Sequence, residues 1–144
     1  MAKVVSINIS EKKGTIKKPV EVGYFKENYG LEGDAHAGNW HRQVSLLAQE
    51  SIDKMKKMGI WDLVAGKFAE NITTEGIELH TLPVGTKLKI GKEVVLEISQ
   101  IGKKCHDACE IKKITGDCIM PREGIFAKVI KGGIARPGDE IEIL

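Results

Sequence analysis

Short apolar runs rich in β-branched residues recur along the whole chain, and each is soon cut off by Gly, Pro, Asn or Asp. A helix needs an apolar stripe sustained at a spacing near 3.6 residues, whereas short runs between turn residues read as strands. Val4 to Ile9, Pro19 to Phe25, Gln43 to Leu47, Phe68 to Thr74, Lys87 to Ile90, Val94 to Ile98, Ile125 to Ile130 and Glu140 to Leu144 fit the strand description. Pro19 belongs at a sheet edge, where its missing N–H does least harm. Gly91-Lys92 reads as a two-residue hairpin loop. Gln49 to Met58 is the best helix, with Ala48, Ile52 and Met55 near one face and Gly59 as its stop. The fold class expected is mainly β, a small closed or nearly closed β barrel with one or two short helices.

The 144 residues contain no internal repeat, low-complexity stretch or linker, so a single domain over 1–144 is expected. The 16 glycines and an aromatic share of only 5% suit many tight turns between short strands. With 22 basic against 20 acidic residues, the net charge of +2 gives no electrostatic case for nucleic-acid binding. Lys12, Lys13, Lys17 and Lys18 crowd the N-terminal region and read as a solvated face. No apolar run is long enough to span a membrane, and the first residues alternate like a strand and lack a signal-peptide core. A cytoplasmic location is therefore expected. An odd cysteine count of 3 argues against a secreted disulfide scaffold.

All three cysteines, Cys105, Cys109 and Cys118, lie within fourteen residues. The thiolate is the reactive form of cysteine, and nearby positive charge favours it. Lys103 and Lys104 precede Cys105, and His106 follows it. That segment has the parts for a persulfide carrier or a soft-metal ligand, and if it is helical Cys105 and Cys109 share a face and can hold one metal. Cys109 and Cys118 read equally as small buried hydrophobes. Zinc held by three Cys and one His is an alternative, although the spacing matches no standard zinc ribbon or finger. A second cluster, Gly30 to Val44, gathers Asp34, His36, His41 and Arg42. Arg suits phosphate through its planar donor fork, and neutral His can ligate metal or move protons. Alternatively, this is a Gly-rich turn whose polar side chains cap its own backbone. A metal hydrolase built on Asp34, His36 and His41 lacks a His-Glu-x-x-His pattern. Asn71, in Glu70-Asn71-Ile72, either bonds a ligand or satisfies a bulge. Arg122 is one of three arginines, with Arg42 and Arg136, in a chain that otherwise uses Lys. It marks either a position where guanidinium geometry matters or an ordinary exposed ion pair.

Taken in order, the Gly30–Gly38 loop with Trp40-His41-Arg42-Gln43-Val44, Glu70-Asn71-Ile72, Gly102-Lys103-Lys104-Cys105-His106, Arg122-Glu123-Gly124-Ile125-Phe126 and Gly132-Gly133…Gly138-Asp139 resemble the MOSC family, the molybdenum cofactor sulfurase C-terminal domain. The resemblance spans nearly the whole chain. It implies a barrel like the small β domain of pyruvate kinase. It also implies that Cys105 matches the family's cysteine, as sulfur carrier or as ligand to molybdenum. Asp34, His41, Arg42, Asn71 and Arg122 fall in segments that line the cleft. With His36 and Lys103 they form the expected site for a molybdopterin-type cofactor. The 144 residues hold neither the N-terminal β-barrel domain of larger members nor a pyridoxal-phosphate-dependent desulfurase region. The expected partners are therefore a cysteine desulfurase or molybdenum-cofactor assembly enzymes, with a molybdoenzyme as acceptor. The second thiol, Cys109, sets the chain apart from a pure molybdenum reductase of N-oxygenated compounds, which stands as an alternative beside a zinc-stabilised binding module.

Overall fold

The computed structural model describes residues 2–11, 17–35, 37–38, 40, 42–57, 70–101 and 124–144. In chain order the strands are β1 (Lys3–Ile9), β2 (Lys18–Val20), β3 (Gly23–Lys26), β4 (Gly30–Leu31) and β5 (Val44–Ala48). Helix α1 (Gln49–Lys57) and β6 (Ile72–Glu75) follow, then a 3-10 turn over Leu79–Thr81. β7 (Lys87–Ile90), β8 (Val94–Ile101), β9 (Ile125–Lys131), β10 (Gly133–Ala135) and β11 (Ile141–Ile143) complete the described chain. No described helix is long and apolar enough to cross a membrane.

The fold is mainly β, as expected. The main sheet runs β11-β7-β8-β9-β5-β6-β1-β2, and a smaller sheet runs β10-β3-β4. The main sheet curls until its ends meet along a short seam. Lys3 and Glu140 form one antiparallel bridge there. Val4 N–H donates to Asp139 O at 2.8 Å, Gly138 N–H to Val4 O at 2.7 Å, and Ile141 N–H to Ala2 O at 2.9 Å. No continuous ladder joins β11 to β1, so the barrel is nearly closed rather than closed.

Alternation sets the inner face. Val4, Ile7, Val44, Leu46, Ala48, Ile72, Ile125 and Ala127 belong to one buried core with Leu88, Ile90, Leu96 and Ile98. β8 shows the pattern plainly, with Val94, Leu96 and Ile98 buried and the residues between them partly exposed. β5 departs from it, because all five of its residues are buried. Its inner residues face the core. Its outward Leu47 is also fully buried, and α1, which carries the buried Ile52, packs against β5 and β6.

β5 and β6 run parallel, with Leu46 opposite Ile72. A parallel pair needs a crossover, and α1 lies within this one. Sequence patterning pointed away from β/α units, so this single crossover is a finding of the structure. Three local expectations also change. Pro19 to Phe25 is not one strand: β2 pairs with β1 as the edge of the main sheet, as Pro19 requires, and β3 belongs to the small sheet. Ile90 stands opposite Val94, which leaves three residues, not two, in the hairpin loop. Gly91 opens that loop at φ +65, and a Cβ there would lie 2.8 Å from Asp139 Oδ2. Lys17 is the third change, since it is 1% exposed rather than part of a solvated face.

Leu46 is fully buried at the centre of the main sheet, while Tyr24 on β3 is 53% exposed. Urea unfolding of Leu46→Ala is expected to show a loss of about 2–5 kcal/mol. Tyr24→Ala is expected to cost under about 1 kcal/mol.

Candidate functional site

Where Val44, Leu46, Ile72 and Ile7 face the core, their neighbours point to the opposite side of the sheet. On β1, β5 and β6 those neighbours include Ser6, Asn8, Ser45 and Thr73, with Asn71 just before β6, and all are buried. The outer face of a small barrel is normally wet, so burial there obliges each polar group to find a partner. Asn71 Oδ1 accepts from Ser45 N–H at 2.9 Å and from Ser45 Oγ at 3.2 Å. Asn71 Nδ2 donates to Asn8 O at 3.1 Å. Asn8 Nδ2 donates to Glu70 O at 3.2 Å and to Thr73 Oγ1 at 3.3 Å, and Thr73 Oγ1 donates to the Glu70 carboxylate at 2.7 Å. Ser6 Oγ closes the chain on Asn8 Oδ1 at 2.7 Å. Asn71 is therefore bound to protein on both sides of its amide and ties β5 to β1.

The same network ends in a buried ion pair. Lys17 Nζ lies 2.6 Å from Asp34 Oδ1, and both side chains are fully shielded from solvent. Ser10 N–H donates to the same oxygen at 3.0 Å, and Lys17 Nζ donates to Ser10 Oγ at 3.1 Å. Burial pushes the Asp34 carboxyl pKa up. The Lys17 ammonium beside it, with hydrogen bonds from Lys17, Ser10 and Asn71, outweighs that push and holds it below the usual carboxylate range.

Asp34 sits in a loop that folds back on itself between Gly30 and Gln43. Gly30 has φ +127, and a Cβ there would lie 2.8 Å from Gln43 O and 3.3 Å from Ala37 Cα, so the loop ends abut. Adjoining ends are a mark of the Ω type of loop. Gly38 N–H donates to Tyr29 O at 2.6 Å across its neck. Gln43 fastens the exit, with Nε2 donating to Asn28 Oδ1 at 3.1 Å and Oε1 accepting from Val129 N–H at 3.0 Å.

Arg42 lies at this exit. Its guanidinium carbon stands 4.9 Å from the centroid of the Trp40 ring and 5.7 Å from that of Phe126. Such stacking holds the plane while leaving the donor edge of the fork to other partners. Arg42 Nε is shielded from water and has no hydrogen-bond partner; among the described residues only Thr74 Oγ1 shares that condition. A buried, charged N–H donor left without an acceptor is costly, and an anion on that edge removes the cost.

Phe126 places this guanidinium in the fold. It is the second residue of β9 and stands opposite both Ser45 and Gln100. Ile101, at the end of β8, pairs with Ile125. The chain that leaves β8 and re-enters at β9 therefore does so next to the ring under Arg42, and that stretch of sequence carries Lys103, Cys105, Cys109, Cys118 and Arg122. These five, with His36 and His41, lie outside the described residues. Of the expected site residues, the structure brings Asp34 and Asn71 into one hydrogen-bonded network and sets Arg42 at the exit of the Asp34 loop. Among the described residues no three His, Cys, Asp or Glu side chains converge as a metal site. Sequence reasoning missed Lys17, Asn8 and Ser45. The polar residues inside the β-branched run Ser6-Ile7-Asn8-Ile9 were a usable signal, but nothing distinguished Lys17 from its neighbours.

Because the Asp34 pKa is depressed on folding, its stabilising effect is complete above the unfolded value of about 3.9 and is lost as pH falls through the folded value. Asp34→Asn leaves the Lys17 ammonium buried without its counter-charge. Denaturant midpoints measured from pH 7 to pH 3 are expected to show a loss of about 3–5 kcal/mol at pH 7 in the variant, with a flatter acid dependence than in the parent.

The profile of the MOSC domain family matches residues 32–142. The fold is similar to that of the YuaD protein from Bacillus subtilis, with a TM-score of 0.82 and 21% identity over 99% of this chain and 94% of that one. It is similar also to YiiM from Geobacillus stearothermophilus, with a TM-score of 0.75 and 19% identity over 100% of this chain and 75% of that one. YiiM from Escherichia coli gives a TM-score of 0.70 and 18% identity, over 99% and 69% of the two chains. No curated protein sequence matches the chain. With its ordered motifs, its nearly closed sheet and a family match over most of its length, this chain belongs to the MOSC domain family.

Proposed function

We propose that this protein handles the molybdenum cofactor or its sulfur, with Cys105 as the working thiol and Arg42 as the anchor for the cofactor's phosphate. The observation that carries this reading is the Arg42 guanidinium, near the Trp40 and Phe126 rings with Nε unpartnered, beside the point where the Cys105-bearing stretch joins the sheet. The residues fit the group. A phosphate supplies the acceptor that Arg42 lacks, and a thiolate is the soft ligand that molybdenum favours. Arg122 is the second candidate for the phosphate, and Lys103 the nearest cation in sequence to Cys105. His36 and His41 belong to the Asp34 loop and are proposed to face the same ligand. When bound, the metal supplies two-electron redox chemistry and the pterin tunes it.

Sulfur carriage needs no metal. The Cys105 thiolate attacks the terminal sulfur of a desulfurase persulfide, a Cys105 S–S bond forms, and the donor's S–S bond breaks with its thiolate leaving. No electrons are gained or lost overall, so no oxidant is required. The chemistry asks for a thiolate, and the cations beside Cys105 in sequence favour one. The partners in this reading are a cysteine desulfurase as donor and a molybdenum-cofactor assembly enzyme or molybdoenzyme as acceptor, met in the cytoplasm.

Protein purified anaerobically from a molybdate-fed host, examined by elemental analysis and intact mass, tests the reading. Molybdenum near one per chain or one added sulfur is expected, and either is lost in Cys105→Ala. Arg42→Ala is expected to keep the added sulfur and to weaken retention of the phosphate-bearing cofactor about ten- to a hundredfold. Stoichiometric zinc instead, lost together with the fold on chelation, overturns the reading and makes the cysteines a structural centre.

A further inference from the structure

We infer that the Lys17–Asp34 ion pair is the latch that positions the Arg42 guanidinium, which makes Lys17 a positioning residue of the anion site. The inference rests on the functional reading above for its purpose, but its geometry stands alone. Besides its start, where Leu31 pairs with Phe25 and Glu32 N–H donates to Tyr24 O at 2.9 Å, and the Gly38–Tyr29 bond, the described residues of the loop between Gly30 and Gln43 reach the rest of the fold through two further sets of bonds. One is at its exit, where Gln43 bonds Asn28 and Val129. The other is at Asp34 and Ala35, where Asp34 bonds Lys17, Ser10 and Asn71 and Ala35 N–H donates to Ser10 O at 2.8 Å.

The second attachment reaches across sequence. Lys17 enters from just before β2, Ser10 from just after β1, and Asn71 from just before β6. Three separate stretches therefore converge on one carboxylate. A buried ion pair contributes little net stability over an apolar pair of the same volume, because each ion gives up its hydration. What it does supply is a direction: the ammonium must meet the carboxylate, and the loop is fixed in one register. Ala37 N–H donates to Asp34 O at 3.2 Å, Gly38 N–H is bonded to Tyr29 O, and Trp40 N–H donates to Gly38 O at 3.0 Å. Among the described residues, backbone bonds thus link Asp34 to Ala37 and Gly38 to Trp40, whose ring stacks on Arg42. An arginine whose buried Nε awaits an acceptor benefits from such an anchor, since guanidinium recognition depends on orientation.

The test reads Arg42 itself, by the NMR signal of its Nε–H, in the full chain without ligand. Shielding from water slows exchange of this proton, and two nearby rings displace its resonance. In Lys17→Met that signal is expected to be lost or to move toward the position of a solvated arginine, while the amides of β7 and β8 keep theirs. Lys17→Met combined with Asp34→Leu removes both charges; its melting temperature is expected to recover while the Arg42 signal stays displaced. If Lys17→Met fails to fold, the double variant alone decides. An Arg42 signal unmoved in either variant, or one that returns together with the melting temperature, overturns the latch and leaves Lys17 a purely structural residue. Titration with inorganic phosphate separates the two readings. A parent chain whose Arg42 signal ignores phosphate counts against the anion site, whereas the comparison of variants still decides the latch.

Discussion

An ammonium and a carboxylate 2.6 Å apart, both out of reach of water, set a constraint that the surrounding structure must meet. Neither can be left alone in that position without a penalty of several kcal/mol. Everything that touches the pair is accordingly committed to it: Ser10 through its backbone and hydroxyl, Asn71 through its amide. From Asn71 the commitment passes to Ser45 and Asn8, and from Asn8 to Glu70 and Thr73. Strands β1, β5 and β6 are thus joined twice, once by the sheet ladder and once by side chains on its outer face.

This arrangement divides the sheet into two chemistries. The inner face is an apolar core of Val, Leu and Ile whose packing tolerates little change in volume. The outer face near β1, β5 and β6 is a dry polar layer in which each donor needs its acceptor. Arg42 Nε is the exception in that region, and Thr74 Oγ1 is the other described atom of this kind. Among the described residues the other buried side-chain polar atoms have partners, which gives this exception weight as a sign of function.

The fold class was legible because alternation survives in β7, β8 and the second half of β9, where one face is buried and the other is at least partly exposed. It was less legible in β5, which is buried on both faces, and in β10 and β4, which are too short to carry a period. The parallel pairing of β5 with β6 was hidden because a single crossover leaves no repeat to detect. Arg42 and Asp34 stood out as charged residues in a Gly-rich loop. Lys17 did not, since it follows other lysines and its burial arises from partners many residues away. Asn71 was recognised as unusual, and the structure explains why: its side chain bonds Ser45 on β5 and Asn8 on β1, the strands on either side of β6, rather than reaching for solvent.

The seam of the main sheet joins Ala2 and Val4 to Gly138, Asp139 and Ile141, nearly the full length of the sequence apart. A ribosome delivers β1 long before its seam partners. Over that interval one edge of β1 has part of its row of backbone donors and acceptors waiting, and such an unpaired edge invites pairing with another nascent chain. β2 follows β1 closely and covers Ile7 to Ile9 early, leaving open the stretch at Ala2 to Val4. Closure of that stretch sets the topological clock of the fold, since contacts of such long separation form slowly. Synthesis rate and temperature therefore bear on the yield of soluble protein through this one seam.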